Sequence, residues 1–234
     1  MKKIKNAAVM IAASLILIVS FTNFNKIKID TTTHKSVIIG KQEWMSENLH
    51  VSAFKNGVVI NEAKTDAEWD LAGINQSPAW CYYNYDAENG KKYGKLYNWY
   101  AVNSKNGLAP KGWHVAKEKE WNVLIEYLGG SSNAGKKLKS TTGWTLSEGL
   151  EKYGNGSNES GFNAQPGGQA YSGAYIHRGG TGFWGIGEIG LWWAADGFKD
   201  TGNAIMFSMS NYTYEVKQEN YQMNRGCSVR CIKN

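Results

Sequence analysis

The stretch GWHVAKEKEWNVLIEYLGG, residues 112–130, carries the clearest structural signal in the chain. Apolar residues in its second half recur three or four positions apart, which places them on one face of an α-helix: Trp121, Leu124, Ile125 and Leu128. Two consecutive glycines, Gly129 and Gly130, supply the stop. We therefore predict an amphipathic helix over residues 117–128 that packs against a core.

Working outward from this helix, the first half of the chain predicts two more helices. Thr65–Glu68 has a capping-box pattern that opens a short helix carrying Trp69 and Leu71. Tyr93–Asn103 has apolar residues at helical spacing and is followed by Gly107 and Pro110.

Strand patterns lie at both ends of the domain, and glycine-rich loops fill residues 131–190. The predicted strands are 37–39, 43–45, 204–209, 212–216 and 227–232. This order predicts an α+β domain, with two or three short helices packed on small antiparallel sheets and long glycine-rich loops.

Composition narrows the class of protein. The 234 residues are 42% hydrophobic and 20% charged, which excludes a disordered chain and a coiled coil. The net charge is +6, but three of the positive charges are lysines ahead of the apolar run 7–21 and the other basic residues are scattered. Because a nucleic-acid site needs a concentrated basic face, we expect no nucleic-acid partner. Ten Trp and 13 Tyr suit a polar binding surface.

Residues 1–22 have the pattern of a secretory signal: lysines, an apolar run, then small polar residues. The apolar run is shorter than the ~20 residues that a membrane span needs. Residues 23–36 form a polar linker. We expect an extracytoplasmic protein, secreted or at the cell surface. The alternative is an uncleaved N-terminal anchor, which would then be its membrane contact.

Three cysteines follow the signal segment, in a compartment where disulfides persist. Cys227 and Cys231 lie four apart in a strand-like run, about 13 Å along an extended chain and beyond disulfide reach. Either one of them pairs with Cys81, or all three are buried thiols.

No motif indicates catalysis. The four histidines lack metal-ligand spacing, His114 suits a hydrogen-bonded structural role, and no nucleophile, phosphate-binding or dinucleotide fingerprint occurs. Asp86–Gly90 has hard oxygen donors and a glycine that suit calcium, although such a segment is commonly a solvated loop. We expect no enzyme activity and no obligatory cofactor or metal site.

A series of motifs resembles the Fibrobacter succinogenes major paralogous domain family. The motifs follow the family's order over residues 37–234: Ile39–Leu49, Ala79–Tyr83, Tyr93–Val102, Leu108–Val115, Asn158–Ala164 and Ser228–Cys231. The resemblance implies an exported domain with a C-type-lectin-like fold, which formylglycine-generating enzymes share. It also implies a Cys81–Cys231 disulfide with Cys227 a buried thiol. Ala116-Lys117 replaces the family's Pro-Thr or Pro-Ser, so we expect a loosely held helix start.

Aromatic residues in the glycine-rich half are the candidate binding site. In the resembling fold, long loops between the terminal strands build the ligand face, and residues 161–196 occupy that place. We expect Tyr175, Trp184 and one of Trp192 or Trp193 to be partly exposed and to stack on a sugar. We expect the ligand to be a glycan or a surface protein. The alternatives are a protein-interaction or structural surface module without sugar affinity and, less favoured, an oxidase like the formylglycine-generating enzymes. The competing interpretation is that the tryptophans form the core.

Overall fold

The structure is a computed structural model that describes residues 33–146, 148–149, 153–172, 182–198 and 202–234. In these residues the chain forms five α-helices and thirteen strands. The helices are α1 (Asp66–Ile74), α2 (Ala87–Tyr93), α3 (Trp99–Val102), α4 (Glu118–Tyr127) and α5 (Ser131–Leu138). The strands are β1 (Ser36–Ile39), β2 (Gln42–Met45), β3 (Asn61–Glu62), β4 (Ala79–Cys81), β5 (Leu96–Tyr97), β6 (Trp113–Val115), β7 (Gly167–Ala170), β8 (Phe183–Ile186), β9 (Ile189–Phe198), β10 (Asn203–Ser210), β11 (Val216–Gln222), β12 (Ser228–Val229) and β13 (Cys231–Lys233).

A four-stranded antiparallel sheet joins the two ends of the domain. Its order is β1-β2-β13-β6, so the last strand lies between strands from the first half of the chain. Ile232 is paired with Trp44 on one side and with His114 on the other. This arrangement closes the domain.

A six-stranded mixed sheet forms most of the second half. Its order is β11-β10-β9-β7-β8, and β12 pairs separately with β9. Both β7 and β12 run parallel to β9, and in a third, three-stranded sheet β3 runs parallel to β4. The α+β prediction is confirmed, but the expectation of purely antiparallel sheets is wrong, because β7, β12 and β3 reach their partners through crossovers instead of hairpins.

The predicted central helix is confirmed. It extends over Glu118–Tyr127, and its four predicted core residues are buried. The Trp121 ring stacks on Phe207 with centroids 5.0 Å apart and meets Trp44 edge-on at 5.2 Å. Helix α4 therefore packs between two sheets and closes the second of three buried clusters.

The start of α4 is held by carboxylates. The Lys117 side chain cannot cap the helix, because an ammonium group has no hydrogen-bond acceptor. The backbone N–H of Lys117 instead donates to Glu120 Oε2 at 2.8 Å. The N–H of Glu118 donates to Asp196 Oδ2 at 2.8 Å. A hydroxyl at position 117 would have accepted from the N–H of residue 119 or 120. The expected loose helix start is nevertheless wrong, because two carboxylates hold the N–H groups of Lys117 and Glu118 instead.

The predicted helix over Tyr93–Asn103 is wrong in most of its length. Gly94 has φ +80 and ends α2, Leu96 and Tyr97 form β5, and only Trp99–Val102 is helical. Both residues of β5 are buried, so this strand lacks the alternation that identifies a half-exposed strand. Two helices, α2 and α5, were not predicted; this makes five instead of two or three.

The last two expectations concern the strand predicted at residues 212–216 and the N-terminal segment. Residues 212–215 lie in the irregular connection after β10, and the strand predicted there begins only at Val216. The export segment at residues 1–22 and most of the linker lie outside the described residues. Among the described residues, no helix has the length and apolar character needed to cross a membrane.

Candidate functional site

A polar groove of about 400 Å³ lies where the β2–β3 connection meets α2 and the loop before β7. Its lining is amide, hydroxyl and charged side chains with two tyrosines. The lining residues are Glu47, Asn48, His50, Ser52, Tyr82, Gly90, Lys91, Lys92, Tyr93, Gly94, Lys95, Asn163 and Gln165. We call this surface the polar groove.

Two glycines allow the groove to form. A Cβ at Gly90 would lie 2.2 Å from Tyr82 Cε1, so only glycine lets the Tyr82 ring lie against α2. Gly94 has φ +80, and a Cβ there would lie 3.0 Å from Asn48 Cβ. These close approaches hold the tyrosine wall and the amide floor in place.

Asn48 is the centre of the groove floor. Its Oδ1 accepts hydrogen bonds from Trp192 Nε1 and from Arg230 Nε, each at 2.8 Å. Its Nδ2 donates to the Tyr93 carbonyl at 2.8 Å and to Ser228 Oγ at 3.2 Å. Because all four bonds of the amide are made within the protein, Asn48 supports the groove and does not bind a ligand.

Arg230 lies directly beneath this floor and is 0% exposed. Its guanidinium donates to neutral oxygens: Asn48 Oδ1 and the carbonyls of Met45, Phe162 and Asn163 at 2.5–3.1 Å. Burial lowers the pKa of Arg230, although the negative charge of Glu47 partly offsets this effect. A guanidinium remains protonated at neutral pH, so a buried positive charge lies under the groove.

Asn163 and Gln165, in the loop before β7, also line the groove. Asn163 has φ +55, a conformation that asparagine tolerates better than most residues. Its Oδ1 accepts from Gln165 Nε2 at 3.1 Å. This contact leaves Asn163 Nδ2 and Gln165 Oε1, both on partly exposed residues, available to a ligand.

The inner end of the groove contains a buried lysine. Lys95 Nζ donates to Ser52 Oγ at 2.6 Å and lies 3.4 Å from the centroid of the Trp80 ring. Trp80 in turn meets Tyr82 edge-on, with centroids 5.1 Å apart. The ammonium and the aromatic wall are therefore one packed unit.

The predicted aromatic site is only partly assembled. Trp184 lies on edge strand β8 and is 48% exposed, as expected. Trp192 and Trp193 are both fully buried, so the expectation that one of them faces the surface is wrong. Their indole N–H groups donate to Asn48 Oδ1 and to the Tyr97 carbonyl, each at 2.8 Å. Tyr175 lies outside the described residues.

The predicted disulfide is absent. Cys81, Cys227 and Cys231 are all buried free thiols. Cys81 lies on β4 of the three-stranded sheet and Cys231 on β13 of the four-stranded sheet, in different buried clusters. The Cys81–Cys231 assignment, which rested on the resemblance, is therefore wrong, and the alternative of three thiols is the correct one.

The acidic segment considered for calcium is the start of helix α2. Asp86 Oδ1 accepts from the N–H of Glu88 at 2.9 Å, and Glu88 pairs with Lys91 at 2.6 Å. Asn89 Nδ2 donates to the Tyr83 carbonyl. Within the described ranges, no group of three or more His, Cys, Asp or Glu side chains comes together. The oxygen donors of the segment instead hold the helix that forms one wall of the groove.

His114 is held by two partners. Its Nδ1 lies 2.7 Å from Asn234 Oδ1 and its Nε2 lies 2.7 Å from Glu120 Oε1. Glu120 also receives the N–H of Lys117, so this histidine links the terminal residue to the start of α4. The structural role predicted for His114 is confirmed.

Lys139 is another buried cation, and it lies outside the groove lining. Its Nζ donates to the carbonyls of Gly154, Ser210 and Thr213 at 2.8–2.9 Å. Burial lowers its pKa to about 8. All three ammonium hydrogens have acceptors, so Lys139 ties the loop at Gly154 to the end of β10 and the turn that follows it, and is a structural residue.

Fold and groove together define an α+β domain with a polar surface groove. Residues 37–233 match the family model of the Fibrobacter succinogenes major domain, and the chain belongs to this family. No curated protein and no solved structure matches the chain.

Sequence reasoning missed the groove because its residues come from four separated segments. One signal was present: Tyr82, Tyr93 and Asn163 all lie within motifs that carried the family resemblance. Those motifs identified the family without indicating which of their side chains meet.

Proposed function

We propose that this protein is an exported, non-catalytic binding domain that recognises carbohydrate in the polar groove. The observation that carries the proposal is the chemistry of the lining. Available amide atoms of Asn163 and Gln165 line the same groove of about 400 Å³ as Tyr82 and Tyr93. Sugars offer many hydroxyls together with apolar C–H faces, and both features have counterparts in this groove.

The non-catalytic part of the proposal is supported by the titratable groups. Glu47, the carboxylate among the described lining residues, is paired with Lys35 at 2.8 Å. Chemistry like that of formylglycine-generating enzymes would need reactive thiols. Cys227 and Cys231 are fully buried, and burial raises the pKa of both thiols.

The C-type-lectin-like fold is part of the same proposal. Its support is that the two segments behind this resemblance pair side by side, Trp113–Val115 with Cys231–Lys233. The terminal strand thus links the N-terminal strands to the segment leading into α4.

A protein-interaction or structural surface module is the second candidate function. It is favoured by α1, on which Leu71 and Ile74 are 57% and 77% exposed. These residues are three apart and therefore lie on one side of the helix. A partner that covers this side of α1 would leave the groove open.

A polysaccharide array followed by calorimetric titration tests the proposal. Gln165→Ala should weaken binding by about 3- to 10-fold, the cost of one or two hydrogen bonds. Gln218→Ala removes the same amide from exposed strand β11 and is the matched control. Trp184→Ala tests the rival surface on β8.

Each outcome has one meaning. Weakening by Gln165→Ala, with Gln218→Ala and Trp184→Ala unchanged, supports the groove. Weakening by Trp184→Ala alone moves the site to β8. An array without any binding overturns the carbohydrate proposal and leaves the interaction module as the better candidate.

A further inference from the structure

The polar groove has an excess of positive charge. Three exposed ammonium groups lie in or beside it, from Lys35, Lys91 and Lys92, against the two carboxylates of Glu47 and Glu88. Glu62, which acts electrostatically on Tyr82, has its own partner in Lys64 at 4.0 Å. The pairs Lys35–Glu47 and Lys91–Glu88 cancel, which leaves the ammonium charge of Lys92.

The buried guanidinium of Arg230 beneath the floor adds a second positive charge. Arg230 lies 2.8 Å from Asn48 Oδ1 and 3.1 Å from the Asn163 carbonyl, and both of these residues line the groove. Its hydrogen-bond acceptors are neutral, and the carboxylate that interacts with it at longer range, Glu47, is exposed and paired with Lys35. Solvent screens a buried charge less than an exposed one, so this field reaches the groove.

Lys92 is the cation best placed to meet a ligand. It is exposed in the last turn of α2, and its Nζ lies 4.9 Å from the centroid of the Tyr93 ring. Its neighbour Lys91 is bonded to Glu88 at 2.6 Å, whereas Lys92 has no carboxylate within salt-bridge distance among the described residues. Its charge is therefore available at the groove rim.

We infer that the ligand of the groove is an anionic saccharide, with a carboxylate or sulfate group near Lys92 and above the buried Arg230. This inference rests on the proposed function. The amides and the tyrosine wall would hold the sugar, and the positive charges would select anionic over neutral polymers. Neutral saccharides lack the group that compensates this field.

The test uses the purified full chain and a pair of polymers that differ only in charge. Polygalacturonate carries a carboxylate on every residue, and its methyl ester is neutral. We expect polygalacturonate to bind about tenfold tighter at 50 mM NaCl and the difference to shrink at 0.5 M, where screening is shorter-ranged. Dextran sulfate against dextran is the second pair and separates sulfate from carboxylate recognition.

Variants locate the effect. Lys92→Gln should weaken polygalacturonate binding by about 3- to 5-fold and leave the methyl ester unaffected. Lys111→Gln removes another exposed lysine, outside the groove lining, and should change binding by less than about 1.5-fold. Poly-glutamate, an anion without sugar rings, should bind weakly.

The outcomes separate this inference from the proposed function. Equal binding of both members of each pair overturns the anionic ligand and keeps carbohydrate binding. Equal losses for Lys92→Gln and Lys111→Gln, or tight binding of poly-glutamate, show attraction by net charge alone and overturn the inference. Failure of all polymers, neutral ones included, overturns the proposed function itself.

Discussion

Replacing Trp192 by alanine should strongly destabilise the fold, whereas replacing Trp184 should not. Trp192 is 0% exposed, its ring lies 6.2 Å from Trp121 and 6.4 Å from Phe162, and its N–H binds Asn48 at 2.8 Å. Removal of a buried indole costs about 3–5 kcal/mol of unfolding free energy. At about 2–4 °C per kcal/mol for a domain of this size, the melting temperature should fall by about 6–20 °C.

Trp184 is the matched control, because it is half exposed on edge strand β8. Trp184→Ala should cost less than about 1 kcal/mol. Urea unfolding followed by far-ultraviolet circular dichroism suits both variants, since the loss of a tryptophan alters the fluorescence signal itself. If the two variants agree within about 1 kcal/mol at equal m-values, the reasoning about the buried cluster is refuted.

Three further predictions concern packing, pH and the thiols. Gly90→Ala should destabilise the protein by about 1–3 kcal/mol and weaken ligand binding, because the new Cβ meets Tyr82. Helix propensity alone would make this variant more stable, so a stabilised variant would contradict the close contact between Gly90 and Tyr82. The pKa of Lys139 is about 8 folded, against about 10.4 unfolded. Between these two pH values the unfolded state therefore binds more protons than the folded state. The unfolding free energy, compared with that of Lys139→Met, should rise from pH 8 to pH 10 by at most about 1.4 kcal/mol per pH unit. If this free-energy difference falls instead, burial does not lower the pKa of Lys139. Alkylation should label three cysteine thiols after denaturation and none before. A Cys81–Cys231 crosslink found by peptide mapping would contradict the assignment of these cysteines as free thiols.

The central helix and its stop could be predicted because their causes are local. Trp121, Leu124 and Ile125 recur at the period of one helix face, and Gly129 adopts a φ of +104 that few other residues tolerate. The same holds for strand pairing at the N-terminus, where Gly40 makes the turn between β1 and β2. Neighbouring residues alone decide such features.

The polar groove could not be predicted in this way. Asn48 and Arg230 are separated by 182 positions, yet they share one hydrogen bond at the centre of the site. No local period reports which distant loops meet, and the strand Leu96–Tyr97 was hidden because both of its residues are buried. Arg230 comes next to Asn48 because β13, which follows Arg230 directly, pairs between β2 and β6.

Trp192 and Trp193 show most clearly which features the sequence determines and which depend on the tertiary structure. The sequence alone determined that adjacent residues of strand β9 point to opposite sides of the sheet. Only the tertiary structure decided what lies on each side: Trp193 belongs to the first buried cluster and Trp192 to the second. Backbone geometry sets the alternation of side chains along a strand, whereas the elements that pack on each face of the sheet come from distant parts of the chain. Because such elements cover both faces here, both indoles are buried in the core.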